Sequence, residues 1–195
     1  MRKAIVFVLS LVFLFQLSSY SEVLGEYFVF AGGASAEPFT SENLRYTRFD
    51  PYINFNWGSG TTDIPNMQND ADNFAIKWSG TIFVPTAGNW TFYTYTDDGV
   101  RLYIDGVLKI DQWTTAGEYS TGALSLNAGP HTFEMRYIER TGDAYAKLSF
   151  EGPGVDKQVI PKSYFNTFNT TSNLPLHCNF DGYDANYGGG TLYGD

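Results

Sequence analysis

Between residues 74 and 150 the chain alternates apolar and polar side chains with a period of two, segment after segment. Phe74, Ile76 and Trp78 share one parity, as do Phe133, Met135 and Tyr137, and again Ala146, Leu148 and Phe150. Trp90, Phe92 and Thr94 alternate with Thr91, Tyr93 and Tyr95, while Val100, Leu102 and Ile104 alternate with Arg101 and Tyr103. Neighbouring side chains of an extended strand point to opposite faces, so this parity predicts half-buried β-strands whose apolar members share one core. Asp105-Gly106 suits a two-residue hairpin turn that needs positive φ, and Asp105 is assigned to that turn and to nothing more. Residues 32–38 and 58–65 read as loops by composition, and Gly152-Pro153-Gly154 ends a strand. Val159-Ile160-Pro161 reads as a short closing edge strand, where a proline is tolerated.

The aromatic content agrees with that pattern. Of 195 residues 17% are aromatic, with 14 Tyr and 16 Phe, and 20 Gly supply turns, which favours a β protein over a helical one. A net charge of −9 argues against nucleic-acid binding, which needs clustered Lys and Arg to neutralise phosphates. It is compatible with an extracellular protein and with cation binding.

The two ends differ from the middle. Arg2 and Lys3 precede an apolar run from Ala4 to about Leu17, followed by small and polar residues, the layout of a secretory signal peptide over residues 1–25 with cleavage near Ser21 or Gly25. The run is short for a membrane span of about 20 residues, and an uncleaved anchor is the alternative. Residues 26–165 carry the strand-turn pattern. Residues 166–195 form a polar linker and then a Gly-, Asp- and Tyr-rich stretch, which is either a tail or the opening of a truncated further module. The sole cysteine, Cys178, lies there, so the domain has no internal disulfide. A secreted or cell-surface location follows from the N-terminal segment.

The chemistry centres on Asp97-Asp98-Gly99, at the break between two strands. Adjacent residues of an extended chain point apart, so two neighbouring aspartates cannot flank one scissile bond as a glycosidase pair does. Both reach a single cation only if the backbone between them turns sharply, as a cis peptide would allow. An ordinary turn is the competing reading, because Asp-Asp-Gly is common turn composition. His131 and His177 have no partners at metal-ligand spacing. No nucleophile elbow, phosphate loop or Cys-His arrangement is present, so the chain reads as a non-enzyme. The sequons Asn89-Trp90-Thr91 and Asn169-Thr170-Thr171 matter only in a eukaryotic source, and Asn89 opens a predicted strand.

A series of segments in order carries a resemblance. They are Gly25-Glu-Tyr-Phe28, Arg48 to Gly58, Phe74 to Gly80, Asp97-Asp-Gly-Val-Arg-Leu-Tyr-Ile-Asp-Gly106, Asp111-Gln-Trp113, Leu126 to His131, Glu134 to Gly142, Ala144 to Phe150 and Ile160-Pro161. Together they resemble the anthrax protective-antigen-type (PA-14) domain, over nearly the whole stretch from Gly25 to about Phe165. The resemblance implies an all-β fold: an antiparallel β-sandwich of barrel-like shape, forming a single domain. Such domains occur in toxins, fungal and bacterial adhesins, and as appendages of glycoside hydrolases. In the lectin members, calcium held by an Asp-cis-Asp pair binds sugar hydroxyls directly.

For this chain the resemblance implies a secreted Ca2+-dependent carbohydrate-binding module with glycans or polysaccharide as partners. The alternatives are a non-catalytic structural or protein-interaction module, or an accessory domain of a truncated glycoside hydrolase. The implied metal ligands are Asp97 and Asp98, the side chain of Glu139, and the backbone carbonyls of Thr141 and Asp143. Lectin members carry an amide where Glu139 stands, so a carboxylate there is a departure. Its competing reading is a solvated loop carboxylate or a partner of Arg140. Asp97 and Asp98 would also reach the carbohydrate through the ion, with Tyr145, Trp113 and Gln112, and less directly Tyr119, as the nearby aromatic and amide contacts. For Trp113 a place in the core is the competing reading.

Overall fold

The computed structural model describes residues 22–33, 37–59 and 62–166, and among these the regular structure is β-strand apart from one short 3-10 turn at Lys162–Tyr164. One sheet runs in the order β2 (Leu44–Asp50), β1 (Val23–Val29), β4 (Phe74–Val84), β10 (Gly129–Glu139), β6 (Gly99–Ile104) and β7 (Val107–Gln112), with β13 (Phe165–Asn166) also paired to β4. The second sheet runs β12 (Val155–Val159), β11 (Ala144–Gly152), β5 (Gly88–Asp97) and β8 (Gly117–Ser120), with β3 (Asn54–Gly58) on β11 and β9 (Leu124–Leu126) on β5. Every pairing is antiparallel.

The two sheets pack as an open sandwich, because their edge strands do not pair across the gap; the barrel-like part of the expectation is corrected to this extent. The parities read from the sequence are those that fill the core. Phe74, Ile76, Trp78, Val100, Leu102, Phe133, Met135, Tyr137, Ala146, Leu148 and Phe150 all belong to one buried cluster. A smaller cluster of Phe28, Phe30, Ala75, Trp113 and Ile138 packs with Phe39 and Leu44.

Several boundaries differ from the sequence reading. β1 starts at Val23, which is fully buried, three residues ahead of the expected Glu26. The closing edge strand is β12, and Pro161 instead caps the 3-10 turn that follows it. Asp105 and Gly106 do form the hairpin turn between β6 and β7, with φ of 50° and 73°. Asp105 also accepts hydrogen bonds from the Thr132 amide at 3.0 Å and pairs with His131 Nδ1 at 2.7 Å, so it ties the hairpin to β10. Asn89 is exposed on β5. No helix among the described residues is long and apolar enough to cross a membrane. Of the signal-peptide expectation over residues 1–25, residues 1–21 lie outside the described residues, as do residues 167–195 of the expected linker and tail, with Asn169, His177 and Cys178.

Candidate metal centre

Two corners of the chain meet at one end of the sandwich. β5 and β6 lie in different sheets, and the single residue Asp98 joins them. β10 and β11 also lie in different sheets and are joined by residues 140–143. Strand register brings these corners together, since Gly99 lies opposite Ile138 and Asp97 opposite Tyr145. The peptide between Asp97 and Asp98 is cis. Carboxylate oxygens of Asp97, Asp98 and Glu139 all fall within 4.8 Å of one another.

Glu139 reaches this cluster from a strand end and not from a loop. It is the last residue of β10, is 0% exposed, and continues the inward series of Phe133, Met135 and Tyr137. The solvated-loop alternative is therefore corrected: extending the alternation of β10 by one step already places Glu139 inside. For the Arg140 alternative, the hydrogen bonds seen from Arg140 go elsewhere. Arg140 turns its guanidinium Nη2 to the carbonyl of Trp113 at 2.8 Å and donates its backbone N–H to Asp98 Oδ2 at 2.9 Å. Thr141 and Asp143 lie in the exposed connection where the sequence put them. That connection is braced from the segment before β4: Asn73 N–H donates to the Arg140 carbonyl at 3.1 Å, and Gly142 N–H donates to Asp72 Oδ1 at 3.2 Å.

The electrostatics of the cluster are those of crowded negative charge. Burial, followed by the charge of Asp98, pushes the Glu139 carboxyl up to about 8. Burial raises Asp97 as well, with Asp98 and Asp143 adding to it. Glu139 Oε2 accepts from the Tyr137 hydroxyl at 3.2 Å, whereas Oε1 is buried with no hydrogen-bond partner. A buried polar atom left unpaired is costly, so this oxygen is what an ion at the cluster would satisfy. The donor set fits a hard cation such as calcium, which takes six to eight oxygen ligands, more than three carboxylates supply alone.

The sugar-side expectations divide. Tyr145 faces outward beside Asp97 and stacks on Tyr95, with ring centroids 4.5 Å apart and planes 17° from parallel. Hydrogen bonding to Tyr95, then burial and the charge of Asp97, push the Tyr145 hydroxyl up to about 12, so it stays a protonated donor. Tyr95, 39% exposed, was read only as a strand position and not as part of the site, although the outward parity of Tyr93, Tyr95 and Asp97 points to it. Trp113 is corrected as a sugar platform. Its ring is 7% exposed, packed against Phe39 and covered by the Arg101 guanidinium 4.6 Å from the centroid. Tyr119 leans against the main core and donates to the Ala116 carbonyl at 3.0 Å. Gln112 ends β7, half-buried, opposite Val100.

The PA14 domain family profile matches residues 23–164. The chain belongs to the PA14 domain family. Among curated relatives, the anti-sigma-I factor RsgI3 of Acetivibrio thermocellus is 38% identical over 123 residues, 62% of this chain and 18% of that protein. An alpha-agarase of Thalassotalea agarivorans is 37% identical over 106 residues, 53% of this chain and 7% of that enzyme. The chain thus spans less than a fifth of either relative's length. Among solved structures, the epithelial adhesin 6 A domain of Candida glabrata, in complex with Galβ1-3GlcNAc, superposes with a TM-score of 0.60 at 13% identity, covering 77% of this chain and 88% of that one. At that identity the likeness shows the PA14 fold alone.

Proposed function

We propose that this PA14 domain is a calcium-dependent carbohydrate-binding module without catalysis, acting in adhesion or in holding a larger secreted or surface protein on glycans. One observation carries the reading: Asp97, Asp98 and Glu139 converge at the corner of two sheets, each bringing a carboxylate oxygen within 4.8 Å of the others, and Glu139 keeps a buried Oε1 without a hydrogen-bond partner. Bound calcium would offer open coordination positions to two vicinal sugar hydroxyls. Asp97, Asp98 and Glu139 would hold the ion, the carbonyls of Thr141 and Asp143 would add to its ligands, and Tyr145 with Tyr95 would form the wall against which a sugar leans. Gln112 stands by as an amide contact.

The same cluster argues against glycoside hydrolysis. Glycosidase carboxyls stand about 5–9.5 Å apart on either side of a substrate sugar. Here one oxygen from each of the three lies within 4.8 Å of the others and Glu139 is 0% exposed, which supports ion holding over an acid/base pair flanking a sugar. The adhesin domain solved with a disaccharide and the relative named an agarase both support a carbohydrate partner. The relative named an anti-sigma factor favours a second reading, an interaction module within a regulatory protein. For secretion we place the cut ahead of Val23, because removing that buried residue would shorten β1.

The test is a glycan array probed in calcium and again in excess chelator. Binding that appears with calcium and disappears with chelator is expected. An array with no calcium-dependent signal would leave the interaction module as the better reading.

A further inference from the structure

The three carboxylates come from two corners that share no covalent neighbour, and one buried side chain touches both. Tyr137, on β10, is 0% exposed. Its hydroxyl donates to the backbone carbonyl of Asp97 at 2.5 Å and contacts Glu139 Oε2 at 3.2 Å. A phenol has one hydrogen, so the two acceptors share it, the shorter contact taking the greater part. The ring cannot drift, because it is fixed on several sides by other aromatics. Trp57 stacks on it with centroids 6.0 Å apart and planes 20° from parallel, Phe74 meets it edge-on at 5.9 Å, and Trp78 lies at 6.2 Å.

We propose that Tyr137 is the positioning residue of the metal centre, a rigid strut that sets the Asp97-Asp98 corner against Glu139 and leaves Glu139 Oε1 as the oxygen facing the ion. This rests on the calcium reading above and adds a residue that does not itself ligate. Groups that orient metal ligands through hydrogen bonds commonly change metal affinity by roughly 10–100-fold when removed. The strut also couples the ion to the core, since Tyr137 is packed between the half-buried Trp57 and the buried Trp78.

The experiment titrates calcium, and terbium as a luminescent stand-in, into wild type, Tyr137→Phe, Glu139→Gln and the double variant, with thermal melts in chelator and in calcium. Tyr137→Phe keeps the ring and its stacking, so the expected result is a folded protein with calcium affinity reduced roughly 10–100-fold. Its loss should be markedly smaller in the Glu139→Gln background, because the two side chains act as a unit. A purely structural tyrosine would instead lower the melting temperature equally with and without calcium, leave affinity unchanged, and overturn the proposal. Should the phenylalanine variant not fold, 3-fluorotyrosine at position 137 alters proton donation without changing shape, and unchanged affinity there overturns it equally. Wild type that binds neither ion refutes the calcium reading itself, and the strut with it; wild type that binds while Tyr137→Phe binds as well refutes the strut alone.

Discussion

Gly99 lies directly against the backbone of Trp113: a methyl group placed on Gly99 would sit 2.0 Å from the Trp113 carbonyl oxygen and 2.5 Å from its carbon. No rotamer change relieves such a contact, because the obstacle is main chain. The same carbonyl accepts from the Arg140 guanidinium, and the Arg140 amide in turn holds Asp98 Oδ2. A side chain at position 99 therefore pushes on the metal corner through two hydrogen bonds.

Gly99→Ala should accordingly cost about 1–3 kcal/mol or more, the usual range for forcing atoms into a packed interior. It should also weaken calcium binding. Urea melts and a calcium titration on the same preparation check both; stability within about 0.5 kcal/mol of wild type, the scatter of neutral surface changes, would show that the corner is looser than its geometry.

The pH dependence of the metal-free protein follows from Glu139, whose carboxyl burial and Asp98 push up to about 8. In the unfolded chain a Glu titrates at about 4.3. Between those values the folded state keeps a proton that the unfolded state has released, so the stability of the folded state falls as pH rises. This contribution is fully favourable only below about pH 4.3 and is lost through about pH 8. In chelator, wild type should lose stability across that window relative to Glu139→Gln, which has nothing to titrate there. Calcium should bind more tightly across the same window and release a proton as it does so. Parallel pH profiles for the two proteins in urea melts would contradict the assignment.

The sequence made the core legible and left the polar interior hidden, for a physical reason. Parity is a property of each strand by itself, so Phe74, Ile76, Trp78, Val100 and Leu102 declare their face without reference to any partner. Asp50 does not. It is 2% exposed on β2, where its Oδ2 accepts from Tyr27 at 2.5 Å and from Trp78 Nε1 at 2.8 Å, and its Oδ1 pairs with Arg48 at 2.7 Å. Those partners come from three strands, and only their pairing shows that the carboxylate is satisfied inside. The metal corner was half visible. Asp97-Asp98-Gly99 is contiguous, and resemblance supplied Glu139, whose burial was one further step of an alternation already read. Tyr137 was read as core, which it is. Its second role depends on the Asp97 carbonyl arriving from the other sheet, and no local pattern encodes that. Trp113 was a candidate only as an aromatic that a sugar could stack on, with the core as its competing reading, and Arg101 and Phe39 cover its ring.

Tyr145 and Tyr95 offer a way to separate the ion from the sugar. Their rings stack beside Asp97 on the outer face and belong to neither core cluster. Tyr145→Ala should leave calcium affinity and the calcium-induced rise in melting temperature close to wild type, while weakening any glycan that binds with calcium by roughly tenfold, about 1.4 kcal/mol. Tyr95→Ala should do the same to a smaller extent by leaving Tyr145 unsupported. Parallel calorimetric titrations with calcium and with an array-selected glycan decide it: equal losses for both ligands would move Tyr145 from the sugar wall to the metal site.

Asp98→Asn decides between a lectin and a braced corner. The change removes one negative charge, and the amide oxygen can still accept from the Arg140 N–H that Asp98 Oδ2 now holds at 2.9 Å. The fold should therefore persist, since the buried cluster on both sheets is built without this side chain. Wild type should bind calcium with a dissociation constant on the order of micromolar to millimolar, as extracellular modules do. Its melting temperature should rise with calcium, because a ligand specific to the folded state stabilises it by mass action. In the variant, calcium affinity should drop by roughly two orders of magnitude, because the ion loses one of its few anionic oxygen ligands. Glycan binding should vanish with it, while far-ultraviolet circular dichroism and the melting temperature in chelator remain near wild type. If the aspartates only brace the corner, the opposite pattern appears: the variant melts earlier in chelator, and whatever partner the wild type binds is still bound.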